Sequence, residues 1–179
     1  MLLKLEKKID TFSDYIGYIA ASLTFILLFN VFYDAIMRYF FRSGSIAFQE
    51  MEWHLFSLVF LLGISYALKE NGHVRVDFIY DRLSQKKKAV IDILGTLLLL
   101  LPLSILIING STWFVMEAYN IGEISGDPGG LPYRFLIKGA IPVSFVFLLI
   151  SATGFILRNI NIYRGCEEAK EDKSHDNIL

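Results

Sequence analysis

The chain has 179 residues, of which 54% are hydrophobic and 20% charged, with a net charge of −1 and a single cysteine. A mean hydropathy of +0.49 is well above what a soluble domain of this length tolerates on its surface. The lone cysteine, Cys166, excludes an intrachain disulfide and paired-thiol redox chemistry.

Four apolar stretches, at about 15–37, 51–69, 89–113 and 135–157, approach the roughly 20 helical residues needed to cross a hydrocarbon layer of about 30 Å. The expected fold is therefore an all-α integral membrane protein. Residues 1–160 are read as one four-helix membrane domain and 161–179 as a polar cytoplasmic tail. The basic start, with Lys4, Lys7 and Lys8, imitates the head of a secretory signal. The apolar run after it continues through Asn30 and Asp34 to Arg38 without a small-residue cleavage site, so it is read as a retained first helix.

Span one closes with Asp34 and Arg38, four residues apart and so on one helix face, spaced for an ion pair near the interface. Residues Ser43–Phe48 are mildly apolar and are expected along the interface, with room for a short helix. Span two opens on Gln49-Glu50-Met51-Glu52-Trp53-His54, placing acids at the positive end of a helix dipole and a tryptophan in the interfacial belt. Span three follows Lys86, Lys87 and Lys88, carries Asp92 in its first turns, and is expected to kink at Pro102. Between spans three and four, Gly122, Gly126, Pro128, Gly129, Gly130 and Pro132 interrupt any regular element. That segment is read as an ordered external turn carrying Glu123 and Asp127.

Basic residues set the topology. All of them except Arg38, Arg42, Arg134 and Lys138 fall in the two termini and the second connection. Both termini are expected in the cytoplasm, with the first and third connections outside.

Ionisable groups gather at the helix ends, unlike the deep carboxylates and histidines of an ion-coupled carrier. Asn30 and Asn109 are the more embedded polar side chains and are expected to make hydrogen bonds between helices. His54, His73 and His175 are not placed to face one another as haem ligands, and His73, Asp77 and Asp81 are read as solvated loop charges rather than a metal site. No catalytic set, cofactor, metal or nucleic-acid partner is expected, and no pair of broken helices suggests a midplane transport site. By elimination the chain reads as a non-enzymatic partner subunit held in membrane lipid.

Several fragments carry a family resemblance. Arg38-Tyr39-Phe40 closes span one and Gln49-Glu50-Met51-Glu52 opens span two. The most specific stretch runs from Leu61 through Gly63 to His73-Val74-Arg75-Val76-Asp77, followed later by Gly122-Glu123-Ile124-Ser125 and Leu131-Pro132. In this order and spacing the chain resembles the small membrane subunit, the Q or DctQ type, of tripartite ATP-independent periplasmic (TRAP) transporters. The resemblance implies two protein partners: a large membrane subunit that carries an organic anion, often a carboxylate, with sodium ions, and a periplasmic binding protein that delivers it. It implies a scaffolding role in a bacterial inner membrane. Arg38, Glu50, Glu52, Trp53, Glu123, Asp127 and Pro132 become candidates for the partner interface, and Gly63, His73, Arg75 and Asp77 for a structural cytoplasmic motif. A self-sufficient oligomeric channel or carrier, and an assembly subunit of another membrane complex, are the competing expectations.

Overall fold

The computed structural model describes residues 2–72 and 83–165. His73, Arg75 and Asp77 of the expected cytoplasmic motif, together with Cys166, lie outside these residues. Among the described residues four helices account for the fold: α1 (Leu2–Tyr39), α2 (Ile46–Lys69), α3 (Gln85–Asn120) and α4 (Arg134–Tyr163), each long and apolar enough to cross a membrane. No strand occurs among the described residues.

The helices overrun the apolar stretches that reveal them. α1 starts at Leu2 instead of near residue 15, because its polar first turns pack as well as its apolar ones: Glu6, Ser13, Ile16 and Ala20 are all buried. No separate helix lies between the first two spans; after α1 the chain turns through Arg42, with φ at 50°, and Ile46 is already the first residue of α2. α2 and α3 end in closely similar turns. At the end of α2 the Gly72 N–H reaches the Ala67 carbonyl and the Asn71 N–H the Leu68 carbonyl, with Asn71 left-handed. At the end of α3 the Glu123 N–H reaches Ala118 and the Gly122 N–H reaches Tyr119. Gly122 takes the left-handed position there, which a glycine adopts without steric cost.

Two prolines sit inside membrane helices. Pro102 lacks an N–H and its ring crowds the preceding turn. α3 absorbs this through a π turn at Thr96–Leu100, in which the Leu101 N–H bonds to the Thr96 carbonyl five residues back. Pro142 lies within α4, which continues as helix to Tyr163.

α4 is the hub of the bundle. It packs against α1, α2 and α3, while α1 and α2 pack on each other and α3 packs chiefly on α4. The apolar centre is made by Leu68 of α2 with Leu148, Ala152 and Phe155 of α4. Lipid tails are as apolar as leucine, so close approach and polar contacts must hold such helices together. Small residues supply the approach: a Cβ at Gly17 would stand 2.5 Å from the Tyr66 ring, and one at Gly154 would stand 2.6 Å from Ile9.

Polar contacts concentrate at the end of the bundle where α1 starts and α4 finishes, here called the tail end. The Ser13 and Ser151 hydroxyls share a buried hydrogen bond of 2.8 Å between α1 and α4. Asn161 donates to the Glu6 carboxylate at 2.5 Å, both residues being buried. Lys69 pairs with Asp14 of α1 and, at 3.1 Å, with Glu70. Arg158 donates to the Lys69 carbonyl at 3.2 Å, placing a cation on the negative end of α2.

Candidate functional site

The opposite end, the loop end, is built around the first turns of α2. Glu50 lies one turn into that helix, and its carboxylate reaches across to the connection between α3 and α4. One oxygen accepts the Leu131 N–H at 2.6 Å and the other accepts the Ser125 hydroxyl. Ser125 in turn accepts the Asp127 N–H at 3.1 Å, and its own N–H donates to the Leu131 carbonyl at 3.2 Å. Two hydrogen bonds from the loop thus converge on one carboxylate, and the loop from Gly122 to Tyr133 closes on itself around it.

Asp127-Pro128-Gly129-Gly130 is the tip of that loop. The Gly130 N–H bonds to the Asp127 carbonyl at 3.0 Å, and Gly129 has φ of 85°. Proline followed by a residue of positive φ is the arrangement of a type II turn. Gly130 is needed for a second reason: a Cβ there would come within 2.4 Å of the Ser125 hydroxyl and 2.8 Å of the Glu50 carboxylate. A side chain at Gly130 would push the staple apart.

Glu123 fixes the other root of the loop. Its carboxylate pairs with Lys138, one turn into α4, and its carbonyl accepts the Arg134 N–H at 3.2 Å. Lys138 also lies 3.8 Å over the Phe114 ring of α3, a cation–π contact that joins loop, α3 and α4. Tyr133, next to exposed Pro132, enters α4 with φ at 61°, a left-handed conformation that costs a non-glycine residue about 1–2 kcal/mol.

The candidates divide by what their side chains already do. Arg38 is paired with Asp34, whose side chain is only 2% exposed. Glu50 and Glu123 are turned onto the loop. Glu52 and Asp127 make no hydrogen bond or ion pair through their carboxylates with any described residue, and Glu52 lines a shallow groove with Leu27, Val31, Trp53 and Phe56. Trp53 is 72% exposed. Gly63 lies mid-helix, and a Cβ there would meet nothing within 4 Å, so no contact within this chain demands the glycine. The Asp34–Arg38 pair and the interhelical bond of Asn30, whose amide donates to the Phe48 carbonyl at 3.0 Å, are as expected from spacing and depth. Missed from the sequence were the Lys138–Glu123 pair and the Ser13–Ser151 and Glu6–Asn161 contacts. Their partners lie far apart in the chain, or in polar turns that an apolar search passes over.

Over residues 27–161 the chain matches the family described as tripartite ATP-independent periplasmic transporters, DctQ component. It belongs to that family. Two proteins of Haemophilus influenzae that carry the name TRAP transporter small permease protein are similar to it. One is 32% identical over 130 residues, covering 72% of this chain and 81% of the relative. The other is 29% identical over 152 residues, covering 83% of this chain and 87% of the relative. The chain is thus a multi-pass membrane component of the DctQ type, a transporter subunit. Its Gly122–Tyr133 loop is the most highly structured connection among the described residues.

Proposed function

We propose that the chain is the small permease subunit of a TRAP-type secondary transporter in a bacterial inner membrane, with both termini in the cytoplasm and the loop end facing the periplasm. It scaffolds the large membrane subunit and presents the loop end to a periplasmic binding protein that delivers an organic anion such as a carboxylate for ion-coupled uptake. The observation that carries this reading is the Glu50 staple. A connection outside the membrane helices is held in one shape by a carboxylate from another helix. Shape of that kind serves recognition, since a rigid surface loses less entropy when a partner seats on it. Glu52 and exposed Trp53 follow Glu50 in the first turns of α2, Asp127 lies at the tip of the loop, and together they supply charge and aromatic area to a docking partner.

Reconstituted uptake tests this. With the large subunit and the binding protein in liposomes, Glu50→Ala should raise the concentration of binding protein needed for half-maximal uptake while the membrane subunits stay assembled. Unchanged dependence on the binding protein would remove the loop from the docking surface. Uptake by this chain without either partner would replace the proposal with a self-sufficient carrier.

A further inference from the structure

We infer that the face of α3 turned away from α4 seats a transmembrane helix of the large membrane subunit, with Asn109 exchanging a hydrogen bond with a polar group of that helix. The inference rests on the subunit assignment proposed above and names the surface through which it operates.

α3 has two opposed faces. Ser104, Ser111 and Ala118 are buried and recur at helical spacing on the side that packs on α4. On the other side, Leu99, Leu106, Asn109, Gly110, Trp113 and Glu117 are all exposed, forming one stripe along the helix at intervals of three and four residues. Leu99, Leu106 and Trp113 are 72%, 68% and 69% exposed.

A stripe of apolar residues would suit lipid as well as protein. Asn109 decides between them. Between Thr96 and Thr112 every other hydrogen-bonding side chain of α3 is satisfied within its own helix: Thr96, Ser104, Ser111 and Thr112 each donate to a carbonyl one turn back. α1 treats its exposed hydroxyls in the same way, Ser22 donating to Tyr18 and Thr24 to Ala20. Asn30, the other embedded asparagine, is bonded to the Phe48 carbonyl. Asn109 alone of these has no hydrogen bond to any described residue, and its carboxamide points away from the bundle. Acyl chains offer it neither donor nor acceptor, and an unpaired amide in hydrocarbon is costly. A neighbouring helix with a polar group at that depth offers both.

Two further features fit a helix rather than a lipid. Gly110 stands beside Asn109, and a Cβ there would meet nothing within 4 Å, leaving a notch that allows close backbone approach. Two turns beyond Asn109, toward the loop end, Glu117 is exposed and has no ion-pair partner among the described residues. The complementary helix therefore carries a hydrogen-bonding side chain level with Asn109 and a basic one level with Glu117.

Photocrosslinking in membranes that hold the assembled transporter tests the surface. A photoreactive residue placed at Leu106 or Trp113 should give adducts with the large subunit, with Phe25 and Phe29 on the exposed face of α1 as reference positions. Asn109→Leu should lower the amount of large subunit that co-purifies by roughly three- to tenfold, the range expected for one interhelical hydrogen bond, and Asn109→Gln should recover part of it. The thermal transition of the full chain alone should not fall, because Asn109 makes no contact that folding depends on. Adducts only with lipid or with a second copy of this chain, in preparations where the large subunit still co-purifies, would overturn the inference and leave the subunit assignment standing. Failure of any large subunit to co-purify would overturn both.

Discussion

The two ends of the bundle use the same kinds of residue for different ends. At the tail end, Lys69 with Asp14, Asn161 with Glu6 and Ser13 with Ser151 each join one helix to another, and three of the four helices are tied there. At the loop end, Glu50 and Glu123 join helices to a connection. The first arrangement holds the helices in place. The second spends its carboxylates on giving twelve or so residues outside the helices a fixed shape, which the fold itself does not require. A position at the tail end should therefore report on stability, and one at the loop end on recognition.

The largest effects should come from the tail end and its close helix contacts. Asn161→Ala removes the partner of a carboxylate in a residue only 6% exposed. It should cost about 3 kcal/mol, read as a drop in the thermal or detergent-denaturation midpoint of the purified chain. Gly17→Leu drives a side chain into the Tyr66 ring and should cost about 1–3 kcal/mol by overpacking. A midpoint equal to the parent's in both variants would mean that the tail end does not hold the bundle.

Intermediate effects belong to the staple. Glu50→Ala should leave that midpoint close to the parent value while amide exchange at Leu131 and Ser125 speeds up by about an order of magnitude, as expected for a loop released from its anchor. Gly130→Ala should give the same result through the clash it creates. The double variant should be little worse than either single one, because both break one contact. Additive losses would mean that Glu50 and Gly130 act separately.

The smallest and most salt-sensitive effects are expected of the carboxylates that bond nothing in the loop. Asp127→Lys should leave exchange and midpoint unchanged and weaken docking of the binding protein by roughly two- to fivefold at low ionic strength, chiefly through its on-rate. The effect should fade as salt is added. A loss that persists in high salt would point to a direct packed contact at Asp127.

Much of the architecture was legible because hydrocarbon imposes one rule on every span: length and apolarity. The same rule hid what lies at the edges. An apolar search starts α1 near residue 15 and passes over Glu6 and Ser13, whose burial depends on residues about 140–155 positions away in α4. It anticipates a disturbance at Pro102 but not its form, a π turn that shifts the hydrogen-bond register to free the proline. Glu50, Glu123 and Ser125 were marked by a family pattern, yet spacing alone could not say that Glu50 turns inward onto the loop. Asp127-Pro128-Gly129-Gly130 is explained once its turn and the staple behind it are seen. The two asparagines show the limit most simply: both read as interhelical, but which helix each one meets depends on what covers it, and for Asn109 nothing within the described chain does.

The central claim is that this chain works as one part of a larger membrane assembly. The most direct test is affinity purification of the tagged chain from its native membranes in mild detergent, with mass spectrometry of whatever accompanies it. A large polytopic membrane protein in stoichiometric amount is the predicted result. Recovery of the chain alone, under conditions that keep other membrane complexes intact, would contradict it.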